Sequence, residues 1–145
     1  RGIVAVPEAI TADNLDHLDG IDVAFLSMDA GEAKTALIER LHARGIIFID
    51  IGMGLEPGDG GLSGILRVTA STPAARGSAG RIPLAGGGAN DLYASNIQVA
   101  DLNALNAVLA VIKWKKLSGF YCDLEREHHS TYTLDGNMLL NEDAA

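Results

Sequence analysis

VAFLSMDAGEAK, residues 23–34, is the stretch on which the fold turns. An apolar run closes on a single carboxylate, Asp29, and the next residues read as the start of a helix. DVAFLS (22–27) is continuously apolar after its first residue, the pattern of a strand covered on both faces. AGEAKTALIERLHARG (30–45) is the clearest helix in the chain. Ala33, Leu37 and Leu41 recur at four-residue spacing, Ile38 widens the stripe, and Gly45 ends it. IIFIDIG (46–52) reads as a second buried strand. Strand, helix and strand in that order predict an α/β fold with a mostly parallel, Rossmann-like sheet.

Working outward, GIVAVP (2–7) predicts a short strand ended by Pro7, and TADNLDHLDG (11–20) a short helix capped by Thr11 and stopped by Gly20. Downstream, Met53–Leu55 and Leu62–Thr69 flank a Gly/Pro/Asp turn and predict a hairpin. TPAARGSAGRIPLAGGGAND (72–91) is rich in small residues and reads as a long loop. NIQVADLNALNAVLAVIKWKKLSG (96–119) predicts a long C-terminal helix, apolar on most sides and therefore buried on most sides. Its cations Lys113, Lys115 and Lys116 fall in the last turns, where they suit the negative helix end. The remainder predicts one or two short strands around the Asp135–Gly136 turn, with an acidic tail.

The 145 residues suit a single domain, residues 1–145, and a hydrophobic content of 48% argues against disorder. A net charge of -8 argues against a nucleic-acid groove, which needs clustered Lys and Arg. No apolar run reaches the roughly 18 residues of a membrane span. The single cysteine, Cys122, excludes an internal disulfide framework and a C-x-x-C zinc pair, so no zinc is expected, and it fits a cytoplasmic setting. As adjacent strand residues, His128 and His129 point to opposite faces and are not expected to share a metal ion.

In open α/β sheets ligands bind beyond the carboxyl ends of the strands, where Asp29 is expected. It can cap the helix that follows. It can equally serve as a magnesium ligand, because magnesium takes one or two protein carboxylates plus substrate phosphates. Asp50 stands at the next strand end, where it could line a pocket or satisfy turn amides. Gly52 and Gly54 either serve turn geometry or admit close approach of a peptide tail to the backbone.

DVAFLSMDAGEAK (22–34), GIIFIDIGMGLE (45–56) and VIKWKKLSG (111–119), in this order and spacing, resemble the second half of the ThiF/MoeB/HesA family. These are bacterial relatives of ubiquitin-activating enzymes, and the resemblance covers roughly residues 2–119. The family pattern ends a strand in Asp, follows it with a small residue or Asn, and places a base five positions after the Asp; here these are Asp29, Ala30 and Lys34. The resemblance implies ATP-dependent adenylation of the C-terminal carboxylate of a ubiquitin-like or sulfur-carrier protein. It implies Asp29 as the magnesium ligand, Lys34 as a catalytic cation, and Asp50 and Gly52 beside the nucleotide. It also implies a homodimer built in part on the long helix; a non-catalytic scaffold for dimerisation or protein binding is the competing expectation.

The family's G-x-G-x-x-G phosphate loop is not found ahead of these elements, and GGGAND (86–91) follows a loop rather than a strand. The chain is therefore expected to be the C-terminal portion of a larger domain. A thioester step is disfavoured, because residues 71–92 contain no cysteine. The 145-residue chain alone is predicted to bind ATP weakly or not at all. Calorimetry showing tight, magnesium-dependent binding by this chain would contradict that reading.

Overall fold

Alternation along one long strand decides which helix covers which side of the sheet. In the computed structural model, which describes residues 2–85, 97 and 99–143, that strand is β2, Ile47–Gly58. Phe48 packs with Leu37, Ile38 and Leu41 of helix α1 (Glu32–Ala43). Its neighbour Ile49 packs on the opposite face with Ala110 of helix α2 (Ala100–Leu117). The sheet is thus sandwiched between the two helices. Phe48, Ile49 and Leu41 are fully buried.

The sheet runs in the order β1-β2-β3-β4-β5, with β1 at Val23–Leu26, β3 at Gly61–Ser71, β4 at His129–Thr133 and β5 at Met138–Glu142. Among the described residues only β1 and β2 are parallel; the other three pairings are antiparallel. The fold is α/β as expected, but the sheet is mixed and mostly antiparallel rather than mostly parallel. The reason lies in the connections. Asp59 and Gly60 alone join β2 to β3, and Leu134–Asn137 join β4 to β5. Turns this tight can join only antiparallel neighbours. The β1–β2 connection, through α1, is the helical crossover that a parallel pair needs, whereas the long β3–β4 connection carries α2 and returns antiparallel.

The expected strand at residues 2–7 is not part of the sheet. Its Ile3 is fully exposed and Val6 more than half exposed. β propensity acts through packing against a neighbour, and this segment meets none among the described residues. Residues 12–18 form a 3₁₀ helix capped by Thr11, whose side chain accepts from Asp13 N while Asn14 Oδ1 accepts from Thr11 N. The 72–91 stretch is not wholly a loop: Gly77–Arg81 is a 3₁₀ helix that buries Ser78 and Ala79. GGGAND (86–91) lies outside the described residues.

Helix α2 corrects a second expectation. It buries Leu102, Asn106, Ala110 and Lys113, while Leu105, Val108, Val111, Ile112 and Trp114 stay exposed. One face is covered and an apolar face is open. Phe25 is also open on β1, the outermost strand, so β1 is not covered on both faces; its ring meets Trp114 edge-on at 6.5 Å. At the C-terminal end of α2, Lys113 and Lys116 are held by Asp123 and Glu127. The Lys116 Nζ–Glu127 Oε1 distance is 2.8 Å. Cys122, next to this cluster, is exposed.

Phe48→Ala removes a fully buried ring from the layer between α1 and the sheet and is expected to cost about 3–5 kcal/mol. Val108→Ala, on the open face of α2, is expected to change stability by less than about 0.5 kcal/mol. Urea unfolding of the two variants checks this contrast, and equal destabilisation would show that the α2 face is covered.

Candidate functional site

A short strand beside a long one leaves an opening. β1 ends at Leu26, opposite Asp50, while β2 continues to Gly58. Past Leu26 the chain turns through Ser27–Ala30 toward α1, and beyond Asp50 no strand covers that edge of β2 among the described residues. A cleft of about 610 Å³ opens there. Asp29, Lys34, Gly52, Gly54, Arg67 and Asn106 line it.

Asp29 is exposed at this cleft and does not cap α1; the N-cap is Gly31, which makes no side-chain cap. Its carboxylate is thus turned toward solvent and the cleft rather than inward. Among the described residues no group of three or more His, Cys, Asp or Glu side chains could hold a metal ion. A single exposed carboxylate suits magnesium held mainly by water and substrate phosphate, not a closed protein cage.

Beneath the cleft lies an ionic floor. Asp50 is completely buried. It neither lines the cleft nor binds turn amides. Its Oδ1 lies 2.5 Å from Lys34 Nζ and its Oδ2 lies 2.8 Å from Arg67 Nη1. Lys34, at 3% exposure, is no solvated helix residue; its ammonium also donates to Met28 O at 3.2 Å. Two cations share one carboxylate, so the floor carries an excess of positive charge. A buried pair of this kind resists dissection, because removing one partner costs roughly 3–5 kcal/mol.

Gly52 serves neither a turn nor an open approach. It sits mid-strand opposite Arg67, and a Cβ there would collide with the guanidinium. The missing side chain is the seat of Arg67. Gly52 O accepts from Asn106 Nδ2 at 2.8 Å, which ties α2 to the same point. Arg67 Nη1 donates to Thr69 Oγ1 at 3.0 Å, and Thr69 Oγ1 lies 2.9 Å from His129 Nδ1. A polar chain therefore runs from Asp50 through β3 to β4.

The cleft brings Asp29, Lys34 and Gly52 together and holds Asp50 just below them. Arg67, Asn106, Thr69 and His129 escape a reading of local motifs. Arg67 had a signal nonetheless: with Gly58 and Gly61 paired across the Asp59–Gly60 turn, counting back six residues on β2 and forward six on β3 sets Gly52 against Arg67. No such count reaches Asn106 or His129, which arrive from distant parts of the chain. His128 and His129 are both buried, and they serve different partners: His128 Nδ1 meets Arg126 O, and His129 Nδ1 meets Thr69.

No protein-family model and no curated protein matches the chain.

Burial holds the His129 imidazole below its ordinary pKa; Arg81 and Arg67 push the same way, against Glu142 and Asp143. His42 is lowered for the same first reason, with Arg76 adding to it. A histidine lowered on folding binds protons more readily when unfolded. Its contribution to stability is complete above the unfolded value, about 6.5, and is lost as pH falls from there through the folded value. Asp123 and Asp143 are also lowered, but their contribution is lost only near and below about pH 4. The melting temperature is therefore expected to fall between about pH 7.5 and 5, and His129→Gln should flatten part of that slope. Circular dichroism melts across this range check it; a flat profile would show that neither histidine is more readily protonated in the unfolded chain.

Proposed function

We propose that the chain is the C-terminal portion, residues 1–145, of an adenylyltransferase-type domain. It activates the C-terminal carboxylate of a ubiquitin-like or sulfur-carrier protein with ATP and magnesium. The observation that carries this reading is an exposed carboxylate, Asp29, at the mouth of a cleft whose floor is positively charged. The resemblance of residues 22–34, 45–56 and 111–119 to the ThiF/MoeB/HesA family supports the choice of chemistry.

Adenylation joins a carboxylate oxygen to the α-phosphorus of ATP and releases pyrophosphate. Both reactants are anionic, and the protein itself carries a net charge of -8, so the charge must be offset locally. Magnesium, when bound, offsets phosphate charge and orients the leaving group. Asp29 would hold it from the cleft mouth. Lys34 and Arg67 supply positive potential from below, with Lys34 fixed by Asp50 rather than free to follow a substrate. Gly54 leaves the face of β2 open at that point, since a Cβ there would meet nothing within 4 Å. A peptide tail can approach the backbone at that point.

A second reading rests on a different observation. The open apolar face of α2, with Phe25 beside it, suits a protein interface. A homodimer or a scaffold without catalysis would use that face, and the two readings differ in whether the cleft is active. No described helix is long and apolar enough to cross a membrane. With one cysteine, exposed and unpaired, a reducing cytoplasm is the proposed setting.

In a chain that includes the Gly-rich nucleotide loop, Asp29→Asn is expected to lower magnesium-dependent ATP–pyrophosphate exchange by roughly 100-fold. Because Asp29 is exposed and caps no helix, folding should be unaffected. Unchanged exchange would remove Asp29 from the mechanism.

A further inference from the structure

Arg67 spends only part of its guanidinium inside the protein. Nη1 is taken by Asp50 Oδ2 at 2.8 Å and Thr69 Oγ1 at 3.0 Å. Nε and Nη2 make no hydrogen bond or ion pair among the described residues and lie over Gly52, where no side chain intervenes, and the Arg67 side chain lines the cleft with 15% exposure. Lys34 is different: its ammonium is almost fully buried and already engaged by Asp50 and Met28 O. The accessible positive charge of the floor thus belongs to Arg67.

The surroundings hold that group in place from three sides. Gly52 removes the Cβ that would displace it, Asp50 fixes one end of the fork, and Thr69 fixes the same nitrogen from β3. Thr69 Oγ1 accepts from Arg67 Nη1 and also lies within hydrogen-bond distance of His129 Nδ1, so one buried hydroxyl joins the two side chains. His129 therefore orients Thr69, and Thr69 orients Arg67.

We propose that the free Nε/Nη2 edge of Arg67 binds an oxyanion in the cleft, a carboxylate or a phosphate group of the substrate. Asp50, Thr69 and His129 are its positioning residues. The planar edge offers two parallel N–H donors, the geometry that matches two oxygens of either group. The assignment rests on the cleft being the substrate site, as proposed above, but not on adenylation taking place there.

The test is an NMR titration of the ¹⁵N-labelled chain, following the Arg67 Nε–H signal and the Gly52 and Gly54 amides. Sodium acetate and inorganic pyrophosphate are added separately at constant ionic strength. Saturable shifts with a millimolar midpoint are expected for at least one anion. Acetate alone would assign the edge to a carboxylate, pyrophosphate alone to a phosphate. Arg67→Lys keeps the charge but loses the planar edge and should weaken the midpoint about 10-fold. Thr69→Val leaves Arg67 in place and should weaken it a few-fold. His129→Gln should do the same, through the relay. Shifts that stay linear for both anions, or a midpoint unchanged in Arg67→Lys, overturn the proposal. If Arg67→Lys fails to fold, the wild-type Arg67 signal and Thr69→Val decide. The titration contains no ATP, magnesium or carrier protein, so its failure and the failure of pyrophosphate exchange are separately readable.

Discussion

A carboxylate with no exposed surface, Asp50, is the constraint around which the cleft is organised. Charge cannot be left unpaired in such a place, and Asp50 draws Lys34 from α1 and Arg67 from β3 toward it. That demand explains other residues in turn. Gly52 is small because Arg67 must cross above it to reach Asp50. Lys34 is buried because its partner is. The result is a helix and two adjacent strands, α1, β2 and β3, locked at one point, directly beneath the cleft.

The same point marks where β1 stops. A strand that ended later would cover the edge of β2 and close the cleft; a strand that ended earlier would expose Asp50. The short β1 therefore does two things at once: it completes the burial of the ionic floor, and it leaves Gly54 exposed beyond it. Asp29, three residues past Leu26, stands on the turn that makes this possible. Its position at the end of a strand in an α/β sheet is the general place for a ligand-binding residue.

Two surfaces answer to different physics. The cleft is polar and charged at its floor, suited to an anion. The α2 face is apolar and exposed, suited to another protein surface. Asn106, on the covered side of α2, belongs to the cleft alone, where it reaches Gly52 O.

Local pattern was enough for much of this. The four-residue stripe of Ala33, Leu37 and Leu41 marked α1, the Gly/Pro/Asp turn between Met53–Leu55 and Leu62–Thr69 marked the hairpin, and the apolar run before Asp29 marked β1. Those features are written in neighbouring residues, and neighbouring residues determine periodicity, turns and caps. What required the tertiary structure was everything depending on residues far apart. An apolar run such as IIFIDIG does not record whether its neighbours run parallel or antiparallel, and the sheet proved mostly antiparallel. An apolar helix does not record which side is covered, and α2 proved half open. Above all, Asp50, Lys34 and Arg67 meet, and His129 reaches Thr69 beside them, only because four elements converge. Pairing a buried charge is a three-dimensional requirement, so the composition of each segment alone could not reveal it.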